Sequence, residues 1–114
     1  MDFLTNDAKY LLSSMYTMYI ERRKSGMLKR DAVRFNDIDT IHVEIMPEWK
    51  IEDVLYTCFE LKKYELITAT LASNTMFHIH LTSEAIASLE TTFTDKVDNV
   101  LEYAAKIKNA IPFI

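Results

Sequence analysis

A chain of 114 residues, 49% hydrophobic and 26% charged, suits one domain with its own core and is too apolar to remain disordered. One cysteine, Cys58, excludes an internal disulfide, and no apolar run reaches the roughly 18 residues of a membrane span. The opening MDFLTNDAKY lacks the positive start of a secretion signal, so a soluble cytoplasmic protein is expected, and a net charge of −4 argues against unselective nucleic-acid binding.

Thr5 or Asn6 can cap a first helix, with Asp7 at its positive end. Ala8, Leu11, Leu12, Met15, Met18 and Tyr19 recur at three- and four-residue steps, which is one helix face. Glu21-Arg22-Arg23-Lys24 closes it, and Gly26, the only glycine, stands where a left-handed cap is wanted. Residues 29–35 read as a short second helix with Ala32, Val33 and Phe35 on its apolar side. Asn36 and Asp37 can cap another short helix, Ile38 to Met46, stopped by Pro47. After the turn at residues 48–50, a longer helix is expected from Ile51 to Tyr64, burying Ile51, Val54, Leu55, Cys58, Phe59 and Leu61.

The period then changes to two. Ile67, Ala69 and Leu71 alternate with Thr68, Thr70 and Ala72, and Phe77, Ile79 and Leu81 alternate with Met76, His78 and His80. Ser73-Asn74 supplies a tight turn, so the segment is a β-hairpin with Phe77, Ile79 and Leu81 on its apolar face. Thr82 and Ser83 cap a last helix that runs to about Ala110 ahead of Pro112, with Thr94-Asp95 as a possible break into two. Its apolar positions Ile86, Leu89, Phe93, Val97, Val100, Ala104, Ile107 and Ile111 step by 3, 4, 4, 3, 4, 3 and 4, close to a heptad seam.

Three helical segments, a hairpin and a return helix give a mostly α, α+β chain. Across residues 5–93 it resembles the winged helix-turn-helix family. The resemblance is carried by VLYTCFELKKYELI, with Leu61 and Leu66-Ile67, and by MFHIHLTSEAIASLE, with Leu81-Thr82 and Ala85. In layout it is similar to small winged-helix proteins carried by phages and mobile elements of Gram-positive bacteria, including the YjcQ-like group. The resemblance implies a three-helix core plus a β-hairpin wing over residues 1–93, and a C-terminal helix over 94–114.

It also implies a recognition helix at 51–64, with Lys50, Tyr56, Thr57 and Lys63 facing DNA and Asn74 at the wing tip. The charge distribution adds a second candidate surface. Residues 1–34 hold seven Lys/Arg against four Asp/Glu, and residues 35–114 hold six against thirteen. Arg22, Arg23, Lys24, Lys29, Arg30 and Arg34 form a cluster suited to phosphate contacts, or simply a solvated helix end. Glu52, Asp53 and Glu60 on the open side of the recognition helix would repel phosphates.

His78 and His80 fall two apart on a strand but lack the further ligands a metal needs, so no metal or cofactor is expected. Cys58 reads as core and Trp49 as an anchor under the third helix. The seam through Phe93, Val97, Val100, Leu101, Ala104, Ile107 and Ile111 needs a cover. Either a second copy supplies it, giving a homodimer, or the helix folds back along the first helix. With no glycine-rich phosphate loop, HExxH or nucleophile elbow, catalysis is not expected. Two functions fit: a homodimeric DNA-binding transcriptional regulator of phage or mobile-element type, or a winged-helix module that docks a protein and leaves DNA untouched.

Overall fold

The structure is a computed structural model that describes residues 3–93 and 97–111. It is an α+β arrangement, mostly helical, with one small antiparallel sheet. Helix α1 spans Asn6–Lys24, capped by Thr5, whose hydroxyl accepts from the Ala8 amide at 3.3 Å. It ends in a Schellman motif: Gly26 donates to Arg23, Met27 donates to Arg22, and Gly26 takes φ 97°. Both ends are placed as the sequence predicts. Its burial is wider than the predicted stripe, because Ser13, Tyr16, Thr17 and Ile20 are buried too. A helix buried on several sides needs more than one cover. Here α4 and α6 both pack against it.

Helix α2 is only Lys29–Ala32, where a helix to residue 35 was expected. The chain instead enters strand β1, Arg34–Asn36, with Phe35 buried. The open edge of the hairpin explains the difference, since it offers ladder partners that a solitary helical turn lacks. Leu81 donates to the Val33 carbonyl at 3.0 Å, and Arg34 and Asn36 sit opposite His80 and Ile79. Asp37 then caps α3, Ile38–Glu44, accepting from the Thr40 amide at 2.8 Å. The amides of Ile45 and Met46 both reach the Ile41 carbonyl, closing the helix ahead of Pro47. Trp49 is buried as an anchor beside Tyr10, and its carbonyl accepts from His42 Nε2 at 2.7 Å.

Helix α4 spans Ile51–Lys63 and buries Val54, Thr57, Cys58 and Leu61. Phe59, expected in that stripe, is instead 43% exposed. Strands β2, Ile67–Ala72, and β3, Thr75–Leu81, are joined by Ser73 and Asn74 at φ 52° and 62°. Two consecutive left-handed residues make the type I′ turn that matches strand twist. The sheet order is β1-β3-β2. His78 is an extra residue on β3, at φ 53°, because the register passes from Thr70 opposite Phe77 to Thr68 opposite His80. This bulge shifts the side-chain phase by one. Met76 therefore turns inward with Ile79 and Leu81, and Phe77, expected inside, stays exposed.

Thr82 receives the Ala85 amide and donates its hydroxyl to the Glu65 carbonyl, fastening the start of α5, Ser83–Phe93, to the end of α4. Helix α6 spans Val97–Ala110 and lies along α1. Residues Thr94 and Asp95, and the Pro112 stop, lie outside the described residues, as does the Val97 side chain. Phe93, Val100 and Ile111 are buried, Ala104 and Ile107 are half-buried, and Phe93 stacks near Tyr16 and meets Tyr103 edge to face. Fold-back along α1 is thus the arrangement displayed, and of the expected seam Leu101 alone is exposed among the described side chains. Among the described residues no helix is long and apolar enough to cross a membrane.

Burial dictates a contrast between neighbours on α6. Val100→Ala should cost about 2 kcal/mol in chemical denaturation, whereas Leu101→Ala should stay within about 0.5 kcal/mol. The reverse order would mean that α6 turns its other face to the core.

Candidate functional site

Two surfaces collect the residues singled out in the sequence. The first surrounds the α1–α2 turn. Arg22, expected among the phosphate-contacting cations, makes bonds within the chain. Its Nη1 donates to the carbonyls of Ala32 at 3.2 Å and Arg34 at 2.6 Å, and its guanidinium lies 4.7 Å from the Phe35 ring centroid. These two bonds from one guanidinium nitrogen tie the end of α1 to β1. Arg23 donates to the Met27 carbonyl at 2.9 Å but remains exposed, as do Lys24 and Lys29. Arg30 and Arg34 each lie 3.8 Å from Asp31. Exposed pairs of this kind contribute little and leave both cations available. Met27 and Leu28 stand exposed among them.

The second surface is the open side of α4. Tyr56 is 78% exposed, and Lys50, Glu52, Asp53 and Lys63 are exposed around it. Thr57 is not part of it. That residue is 4% exposed, and its hydroxyl donates to the Asp53 carbonyl at 2.7 Å, so it cannot meet a base. Phe3 and Tyr64 pack at 4.7 Å between centroids, and the Lys63 ammonium sits 5.4 Å from the Tyr64 ring. Glu60 accepts from both the amide and the hydroxyl of Thr5, at 2.8 and 2.7 Å, which latches the N-terminus of α1 onto α4.

These side chains line a groove of about 410 Å³ running from Phe3 and Tyr64 to Tyr56 and Phe59. A second hollow of about 270 Å³ lies between Phe59 and the hairpin residues Leu71, Ala72, Asn74 and Thr75. Phe59 borders both, so α4 and the β2–β3 hairpin share one apolar strip. Its rim is acidic. Burial, and then the charges of Asp53 and Glu60, push the Asp7 carboxyl above its ordinary range. Asp7, Asp53 and Glu60 thus act on one another at one end of the strip.

Thr5 and Arg23 are separated by the length of α1, about 27 Å at 1.5 Å per residue. The acidic aromatic strip and the basic turn are therefore separate surfaces. Tyr56 and the expected cations other than Arg22 are exposed, as helix periodicity implies. Sequence reasoning missed Phe3, Phe59, Tyr64 and Leu71 as exposed apolar residues. The three- and four-residue steps from Tyr56 to Phe59 and Lys63 were a second stripe on α4 that was available to be read.

His78 sits exposed on the bulge, its Nδ1 3.4 Å from Thr70 Oγ1, while His80 is half-buried in the sheet. Among the described residues no three His, Cys, Asp or Glu side chains are grouped to hold a metal ion. Cys58 is buried in the core, and desolvation pushes its thiol up to about 12. The thiolate is the reactive form.

Two outcomes follow. Arg22→Ala should lower stability by about 2 kcal/mol, from lost charge-assisted bonds to two carbonyls, while Arg30→Ala should change it by less than about 0.5 kcal/mol. A colorimetric thiol assay at mild alkaline pH should find Cys58 silent in the native protein and one equivalent reactive in denaturant. Fast native labelling would show that the α4 core opens readily. Compared with known protein families, curated proteins and solved structures, the chain matches none.

Proposed function

We propose that this chain is a winged-helix module that docks a protein partner through α4 and the adjoining wing. The element order supports the winged-helix assignment. Helix α1 leads through β1 to the helix pair α3 and α4, then to a hairpin whose β3 lies between β1 and β2. In that plan α4 takes the recognition position and residues 73–74 form the wing tip.

The observation that carries the docking reading is the chemistry of α4's open face. Base edges are read by hydrogen-bonding side chains, and phosphates are held by cations. Here Thr57 is withdrawn into the core, and Asp7, Glu52, Asp53 and Glu60 outnumber Lys50 and Lys63. What remains outward is Tyr56, Phe59, Phe3, Tyr64 and Leu71. Exposed aromatic side chains beside a groove favour a protein contact, in which rings fill pockets and exclude water.

One observation favours a second reading, that of a DNA-binding transcriptional regulator. Arg23, Lys24, Lys29, Arg30 and Arg34 are exposed together and carry charge that α1 capping does not require. In this reading DNA meets the basic turn, and Asn74 at the exposed wing tip is a poor second contact. Homodimerisation through the C-terminal helices would require Phe93, Val100 and Ile111 to leave their present cover.

Fluorescence anisotropy with a labelled random-sequence duplex at low salt separates the two. Docking through α4 predicts feeble duplex binding that Lys50→Ala with Lys63→Ala does not alter. Tight binding, falling steeply with salt and at least tenfold weaker in that double variant, would replace the docking reading with the DNA-binding one. Loss in Lys29→Ala with Arg30→Ala alone would assign DNA to the basic turn and leave α4 to a protein.

A further inference from the structure

The acidic aromatic strip and the basic turn complement each other in both charge and apolar content. The strip presents exposed Glu52 and Asp53 and half-buried Asp7 and Glu60 around Tyr56 and Phe59, four carboxylates against Lys50 and Lys63, beside a groove of about 410 Å³. The turn presents Arg23, Lys24, Lys29 and Arg30 around Met27 and Leu28, all exposed. We infer that the occupant of the α4 strip is the α1–α2 turn, residues 23–30, of a second copy of this chain. This rests on the docking reading of α4 and supplies its partner.

Geometry forces the contact to be intermolecular. The turn and the Thr5–Glu60 end of the strip lie at opposite ends of α1, about 27 Å apart along its axis, and the continuous helix between them keeps one copy from satisfying itself. Met27 and Leu28 are tethered by the Schellman motif at Gly26, so they are presented in a fixed direction. Their bulk suits a groove walled by rings, and Arg23 or Arg30 over Tyr56 adds cation–π attraction. Overall charge works the other way: at −4 per copy, two molecules repel unless these patches face each other. Association is therefore specific in orientation and sensitive to salt. Turn and strip are different patches, so the contact closes as a reciprocal pair if two copies can exchange turns, and otherwise repeats as a head-to-tail series.

The test is the mass of the full chain by light scattering up to millimolar concentration, at low and high salt. Two variants accompany it, each altered only at exposed side chains and each checked for native circular dichroism. The turn variant is Lys29→Glu with Arg30→Glu, and the strip variant is Asp53→Lys with Tyr56→Ala. Wild type should exceed the monomer mass at low salt and return to it at high salt. Each variant alone should show an apparent dissociation constant at least tenfold weaker. The turn variant mixed with Asp53→Lys alone should recover association, because each reversed charge then meets its opposite.

A wild type that stays monomeric overturns the inference. So does association that persists in both variants, which would move the contact to another surface, or a mixture that recovers nothing. A monomer that gains mass only on a random duplex, and loses it in the turn variant, would give the turn to nucleic acid. In each of these cases the docking reading of α4 still stands or falls on Lys50 and Lys63 in the duplex titration.

Discussion

The burial of α1 is the constraint on which the rest of the structure depends. A 19-residue helix with Ala8, Leu11, Leu12, Met15, Tyr16, Tyr19 and Ile20 inward has too wide an apolar surface for one neighbour. Helix α4 takes one side and α6 takes another. Both ends of α1 are then fixed by polar contacts, Thr5 to Glu60 at the start and Arg22 to the Ala32 and Arg34 carbonyls at the finish. The strip and the basic turn owe their separation to this one rigid element.

Strand β3 plays the matching part in the sheet. It pairs with β1 on one side and β2 on the other, and its bulge at His78 lets Met76 and Ile79 both face the core. Without the extra residue, strict alternation would bury Phe77 and expose Met76. Leu71, opposite Met76 but close to the hairpin turn, is left half exposed and borders the same hollow as Phe59. A local irregularity in pairing thus decides that Phe77 rather than Met76 is left at the surface.

Much of the fold was legible because caps and periods are local signals. Thr5, Gly26, Asp37 and Thr82 each mark an element boundary through a hydrogen bond or a left-handed φ that the residue type itself favours. The exceptions are non-local. Three residues of β1 carry no period, and their pairing depends on a hairpin some forty positions later. The phase of β3 turned on a bulge that alternation alone cannot reveal. Coverage of the C-terminal seam turned on the second apolar side of α1, which the stripe through Met18 understated. At the site, exposure of Tyr56 and the cations followed from helix periodicity. The tasks of Arg22 and Thr57 did not, because both are set by carbonyls those side chains meet only after folding.

The chain forms its left-handed turns almost without glycine. Asn36, Glu65, Ser73, Asn74 and His78 all take positive φ, alongside Gly26 alone of that residue type. Each such non-glycine residue is held there by its surroundings, and its side chain narrows the conformations the turn can visit. Two of these points, Glu65 after α4 and Asn74 at the hairpin turn, adjoin the α4 strip, and restricted turns leave it less backbone freedom to lose than glycine turns would. A partner would meet a surface already in its bound shape. Recognition at such a surface is governed by how long the complex lasts rather than by a slow rearrangement on arrival.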